Sequence, residues 1–139
     1  MTVYQKAGLE DVWNLRHLAM WPDKPIDFIK LNDDSEGLHL GIYENSCLIS
    51  VLSIYQKPDQ PGSAVIRKVC THPNRQNQGL ASSLIQQAVQ LLKEQQIETV
   101  TLDARVHAVS FYERLGFQTV GDPFLKYGKL YQKMVCSIR

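Results

Sequence analysis

The chain has 139 residues, a formal net charge of +1, 44% hydrophobic and 21% charged residues, which suits one domain with a core of its own. That near-neutral balance gives no electrostatic ground for binding nucleic acid or an anionic membrane surface. No apolar run of about 18 residues occurs, so no transmembrane helix is expected, and Met1-Thr2-Val3-Tyr4-Gln5-Lys6 lacks the apolar core of a signal peptide.

The first clear element is a helix over Glu10 to Met20, where Leu9, Val12, Leu15 and Leu18 recur near helical spacing. Trp21-Pro22-Asp23-Lys24-Pro25 breaks it, because proline removes a donor and restricts the residue before it. Ile26 to Leu31 reads as a short second helix, and Asn32-Asp33-Asp34-Ser35-Glu36-Gly37 as a polar, solvated turn. Leu38 to Tyr43 and Cys47 to Gln56 read as two strands joined by a hairpin through Glu44-Asn45-Ser46. Lys57 to Ser63 is a loop, and a long strand runs from Ala64 to Cys70.

After the Gln76-Asn77-Gln78-Gly79 turn comes an amphipathic helix, Leu80 to about Leu92. Leu80, Leu84, Ala88 and Leu91 form one stripe, and Ala81, Ile85, Val89 and Leu92 the next, a face wide enough to pack on a sheet. Thr99 to Asp103 is a buried strand. Ala108 to Leu115 is a short helix closed by Gly116 in the left-handed position. Gln118 to Val120 and Tyr131 to Cys136 complete the strands. The order βααβββαβαββ implies a layered α/β (α+β) single domain over 1–139. Cys47, Cys70 and Cys136 are odd in number and widely spaced, which fits neither a disulfide framework nor a zinc site. A reducing, cytoplasmic setting follows, with each cysteine expected as a small core residue.

The junction before the long helix is the chemically informative stretch. A strand that ends in a polar turn with small residues at the helix start leaves backbone N–H groups free at the positive end of the helix dipole. Such a place favours a phosphate or pyrophosphate. A Walker A loop is absent, and so is a Gly-x-Gly-x-x-Gly fingerprint after a first strand. What stands is Gln76, Gly79 and Ala81 in the pattern Gln/Arg-x-x-Gly-x-Gly/Ala.

Two blocks carry a family resemblance. One is Val69-Cys70-Thr71-His72-Pro73-Asn74-Arg75-Gln76-Asn77-Gln78-Gly79-Leu80-Ala81, and the other is Ala108-Val109-Ser110-Phe111-Tyr112-Glu113-Arg114-Leu115-Gly116-Phe117. In this order and spacing the chain resembles the GNAT superfamily of acyl-CoA-dependent N-acetyltransferases. The resemblance covers about residues 64 to 120; the N-terminal half matches only in its pattern of elements. It implies a mixed, mostly antiparallel sheet, splayed between the fourth and fifth strands, with helices on both faces. It also implies acetyl-CoA as co-substrate, no metal, and direct attack by a primary amine in a ternary complex.

Carried onto this chain, the resemblance gives the amides of Gln78, Gly79, Leu80 and Ala81, with those near Gln76 and Asn77, to the pyrophosphate. The backbone of Cys70 and Thr71 would pair with the pantetheine arm, and an N–H near Thr71 would polarise the thioester carbonyl. Tyr112 would be the general acid to the departing thiolate, with Phe111 beside it as packing and cofactor contact. Where many members have asparagine, seven residues before the tyrosine, this chain has Arg105, which has donors but no acceptor. Where some members carry a glutamate base on the fourth strand, this chain has Arg67 and Lys68. Base candidates are then Asp103, His72, Asp33, Asp34 or Glu36, or a water chain to solvent. Cys70 as an acyl carrier lacks an evident activating base. The missing asparagine and glutamate also suit a second reading, a catalytically inactive acyl-CoA-binding module acting as a sensor.

The acceptor, a small-molecule or peptide amine, should be met by residues 16–36 and 122–131. An acidic rim of Asp23, Asp33, Asp34 and Glu36 would favour a cationic amine. Phe124 and Tyr131 look like the flanks of a hairpin edge around Lys126-Tyr127-Gly128-Lys129. A homodimer through such an edge is an expectation that rests on the resemblance alone.

Overall fold

A computed structural model of the protein describes residues 2–138. Seven strands form one sheet: β1 (Thr2–Lys6), β2 (Leu38–Glu44), β3 (Cys47–Gln56), β4 (Ser63–Thr71), β5 (Thr99–Arg105), β6 (Gln118–Lys126) and β7 (Lys129–Ser137), in the spatial order β1-β2-β3-β4-β5-β7-β6. Every neighbouring pair is antiparallel except β4 and β5, which run parallel. The helices are α1 (Leu9–Met20), α2 (Leu80–Glu94) and α3 (Val109–Arg114). This is the mixed, mostly antiparallel architecture expected from the sequence.

Strand β3 is buried along nearly its whole length because both of its faces are covered. Its adjacent residues Val51 and Leu52 belong to different hydrophobic clusters, as the two-residue period of a strand requires. Leu52 packs with Leu84, Ile85, Ala88 and Leu92 of α2, and Val51 with Val12 and Leu15 of α1. The helices therefore lie on opposite faces, and the stripe expected on α2 is the one it buries. On α1 the stripe is shorter than its spacing suggested: Leu18 is exposed and Arg16 is buried in its stead.

Several expected boundaries change. Ile26 to Leu31 is not an α-helix but one 3-10 turn over Ile26–Ile29, started by Pro25 and too short to propagate. Another 3-10 turn, Val106–Ala108, precedes α3, which is therefore shorter than Ala108 to Leu115. The last two strands run well beyond Gln118 to Val120 and Tyr131 to Cys136. They continue to a tight two-residue turn, Tyr127-Gly128, with Lys126 opposite Lys129. Both turn residues have positive φ, 53° and 72°, the geometry that matches strand twist. The expected β2–β3 hairpin has the same form through Asn45 and Ser46. Cys70 and Cys136 are core residues, but Cys47 is exposed beside that turn.

The sheet opens where it matters. Strand β4 pairs with β5 only at Ser63/Thr99, Ala64/Val100 and Val65/Thr101. Beyond Val65 the two diverge, and a register shift against β3 accompanies the divergence. Lys68 sits at that irregularity with φ +56°, a left-handed conformation uncommon for a residue with a Cβ.

Candidate active site

The gap between β4 and β5 forms a cleft of about 940 Å³. The β4 backbone presents itself to this gap in a way its ladder dictates. The His72 N–H donates to the Ile49 carbonyl at 2.8 Å, which makes that pair a hydrogen-bonded one. Thr71, directly opposite Ser50, is then a non-hydrogen-bonded position, so its N–H and C=O point away from β3, toward the gap. By the same alternation the backbone of Cys70 turns to β3, and the Ser50 hydroxyl also donates to the Cys70 carbonyl at 3.3 Å. The expectation that Cys70 offers its backbone alongside Thr71 is thus corrected: Cys70 lines the cleft, and Thr71 is the residue that turns its peptide groups to the gap, where the Gln76 side-chain amide donates to its carbonyl at 3.5 Å.

At the end of β4 the chain turns through residues with alternating handedness. Asn77 has φ +62° and Gly79 φ +78°, a curl that converges successive N–H groups on one side. Gly79 is the N-cap of α2 and provides no side-chain cap. The first amide bonded within the helix is Ser83, to the Gly79 carbonyl at 3.0 Å, so the preceding amides of the first turn lack intrahelical partners. A Cβ built on Gly79 would meet nothing within 4 Å, so the space above these amides is open. Arg75 anchors the loop: it pairs with Glu44 at the end of β2, and its Nε donates to Gln78 Oε1 at 2.9 Å. Gln76, Asn77, Gly79, Leu80 and Ala81 line the cleft; Gln78 does not, because its side chain is held by Arg75.

Tyr112 and Phe111 of α3 reach the same cleft from the other wall. Tyr112 is 9% exposed, with its ring edge-on to Phe111 and Phe117 at 5.0 and 6.0 Å. Its hydroxyl has no hydrogen-bond partner among the described residues. Burial pushes it up to about 12, so it stays protonated at neutral pH. Arg105 lines the cleft with its guanidinium 5.8 Å from the Tyr131 ring, so it is no free surface arginine.

Among the base candidates the structure discriminates. Asp103 is the one carboxylate lining the cleft among the described residues, with Lys126 Nζ at 3.1 Å. His72 caps its own turn, accepting from the Asn74 N–H at 3.1 Å. Asp34 is removed altogether. It is 3% exposed and ion-paired to Arg16 at 2.8 Å, so that turn is not the solvated one expected. Asp23, Asp33 and Glu36 do not line the cleft either, which overturns the acidic rim and its preference for a cationic amine.

The parallel β4–β5 pair that parts after three residue pairs, above a capless helix start, is the deciding geometry. The family profile described as "Acetyltransferase (GNAT) domain" matches residues 18–138. The chain belongs to the GNAT acetyltransferase family. It is 32% identical over 131 residues to the uncharacterized N-acetyltransferase YitI of Bacillus subtilis, covering 89% of this chain and 87% of that one. Two solved structures show the same fold. The ribosomal-protein-S18-alanine N-acetyltransferase of Escherichia coli aligns with a TM-score of 0.81 at 18% identity, over 99% of this chain and 94% of the other. An acyl-CoA N-acyltransferase of Pseudomonas aeruginosa aligns at 0.80 and 21% identity, over 99% of both chains. GNAT membership makes the chain an acetyltransferase.

The sequence-based reading missed the aromatic and cationic wall opposite α3. Trp21 and Phe28 meet edge-on at 5.2 Å, and Phe28 meets Tyr127 of the β6–β7 turn at 6.3 Å. The connector after α1 thus touches the C-terminal hairpin across the cleft. The two segments named as acceptor regions had been the signal, but their mutual contact was not visible in either. Among the described residues no helix is long and apolar enough to cross a membrane. Nor does any group of three or more His, Cys, Asp or Glu there suit a metal ion.

Proposed function

We propose that the protein transfers an acetyl group from acetyl-CoA to a primary amine by direct attack within a ternary complex. The observation that carries this is the convergence, on one cleft, of the Thr71 peptide, the Tyr112 hydroxyl and the uncapped start of α2. The amides of Gln78 to Ala81, with Gln76 and Asn77 flanking them, would hold the donor's pyrophosphate. The open space above Gly79 fits that group. The Thr71 peptide, with Arg105 and Phe111 across the gap, would hold the pantetheine arm in the place where a neighbouring strand would otherwise pair.

Transfer then needs three groups of this chain. The Thr71 N–H stabilises negative charge developing on the thioester oxygen. The amine nitrogen bonds to the carbonyl carbon as the carbon–sulfur bond breaks. Asp103, directly or through a water, takes the proton the amine gives up. Tyr112 donates its proton to the departing sulfur. Cys70 is unsuited to carry the acetyl group: burial pushes its thiol up to about 12, so thiolate is scarce at neutral pH.

Two measurements test this reading. Acetyl-CoA at 100 times its dissociation constant should stabilise the fold by about 2.7 kcal/mol, read as a rise in melting temperature. Thiol release from acetyl-CoA should appear across a panel of primary amines. A protein that gains no stability from acetyl-CoA and releases no thiol would refute it. Gly79→Val probes the loop separately. A Cβ fits there, but a β-branched residue at φ +78° costs on the order of 1–3 kcal/mol. Weaker acetyl-CoA binding with an unchanged acceptor KM at saturating donor is the expected result.

A further inference from the structure

The cleft is basic out of proportion to the chain. Among the described residues, eight lysines and arginines line it, against one acidic residue. At the loop end Arg75 is already engaged by Glu44 and Gln78. At the opposite end the cations are under-compensated. Lys68 and Lys129 have no carboxylate partner among the described residues, and Arg67 has only Asp33, at 3.9 Å. Lys126 has the single lining carboxylate, Asp103.

The three lysines are gathered around one aromatic cluster, and Arg67, the neighbour of Lys68 in the chain, holds its guanidinium 5.4 Å from the Tyr55 ring. Lys68 Nζ lies 5.3 Å and Lys126 Nζ 6.0 Å from the same Tyr127 ring. Lys129 Nζ lies 5.1 Å from the Trp21 ring, which Phe28 joins to Tyr127. Lys68 is directed there by a backbone conformation that a non-glycine residue adopts at a cost. Burial, with Lys126, Arg16 and Arg67 nearby, pulls its ammonium below the usual lysine value. Half-buried like charges held together without counter-charge are unfavourable until an anion joins them.

The donor's pyrophosphate is not that anion. Arg67 precedes Thr71 by four residues, roughly 13 Å along a strand, and the amide loop lies beyond Thr71. Resting on the transfer reaction proposed above, we propose that Arg67, Lys68 and Lys129 bind an anionic group of the acceptor. The acceptor is therefore a small amine that also carries a carboxylate or a phosphate.

The test uses matched amines: 4-aminobutyrate against butylamine, and O-phosphoethanolamine against ethanolamine. Thiol release is followed with the wild type and with Arg67→Gln, Lys129→Gln and Lys68→Asn, the last because asparagine tolerates positive φ. The wild type should favour the anionic member of at least one pair about tenfold or more in kcat/KM, the equivalent of 1.4 kcal/mol. The pair that responds identifies carboxylate or phosphate. The preference should collapse in the variants while the KM for acetyl-CoA holds. Preference for the neutral members, a preference that survives all three substitutions, or a loss confined to the acetyl-CoA KM would overturn the proposal. The same four amines are titrated by calorimetry onto protein with coenzyme A, whether or not turnover is seen. Tighter binding of an anionic member, lost in Lys68→Asn, supports the proposal even if transfer itself fails; equal binding within both pairs counts against it.

Discussion

Tyr112→Phe is expected to lower kcat about a hundredfold or more, the range a positioned proton donor contributes, and to leave acetyl-CoA binding in place. The substitution is clean for a physical reason. The ring is fixed by Phe111 and Phe117, and phenylalanine keeps those edge contacts. The hydroxyl has no partner among the described residues, so its removal strands no buried donor or acceptor. The melting temperature and the stabilisation by acetyl-CoA should therefore match the wild type, while single-turnover thiol release slows. The pH profile adds a second readout. With its pKa pushed up to about 12, Tyr112 keeps its proton throughout an ordinary assay range. An acidic limb in the profile therefore does not come from Tyr112, and it should persist in Tyr112→Phe. An unchanged kcat in Tyr112→Phe would refute the acid role and leave a proton from solvent as the source for the sulfur.

Much of this was legible in the sequence because its signals are local. The start of α2, the hairpin turn at Asn45-Ser46 and the packed face of α2 each follow from a few neighbouring residues. The opening of the sheet was legible only through resemblance. Nothing in Ala64 to Cys70 announces that pairing with β5 stops at Val65 or that Lys68 adopts φ +56°. The alternation that turns Thr71 to the gap and Cys70 to β3 depends on that register, so the Cys70 backbone assignment failed. The acidic turn misled for a related reason. Asp33, Asp34 and Glu36 look alike as a string, but Arg16, eighteen residues before Asp34, sits on a helix face that only packing reveals as buried. A charged residue at a stripe position of α1 was the available clue.

That pair leads to the largest expected effect on stability. Arg16, fully buried, donates to both Asp34 carboxylate oxygens at 2.8 and 3.1 Å, to Ser53 at 2.9 Å, to Tyr55 at 3.2 Å and to the Ile29 carbonyl at 3.2 Å. Asp34 further accepts from the Tyr55 hydroxyl at 2.6 Å, the Trp13 indole at 2.9 Å and the Leu31 amide at 2.8 Å. Asp34→Ala leaves the guanidinium buried without its counter-charge, at a cost of about 3–5 kcal/mol. It should lower the melting temperature by roughly 10 °C or more. Replacing both partners with apolar residues, Arg16→Met with Asp34→Leu, should recover most of the loss, because no charge is then stranded. Burial alone would raise the Asp34 pKa, but hydrogen bonds from Arg16, Tyr55, Leu31 and Trp13 outweigh it and hold the carboxyl well below the usual range. A carboxyl lowered in the folded state stabilises fully above its unfolded value, about 3.9, and that contribution fades as pH falls through the depressed one. The difference in stability between wild type and Asp34→Asn should therefore be constant from neutral pH down to about 4 and shrink below it. The same network ties α1 to the connector whose Trp21 lines the cleft and whose Phe28 packs against that ring. Asp34→Asn should thus raise the acceptor KM, at a temperature where it is still folded, more than the acetyl-CoA KM. Equal changes in both, or none, would show that the connector's position does not govern the acceptor side.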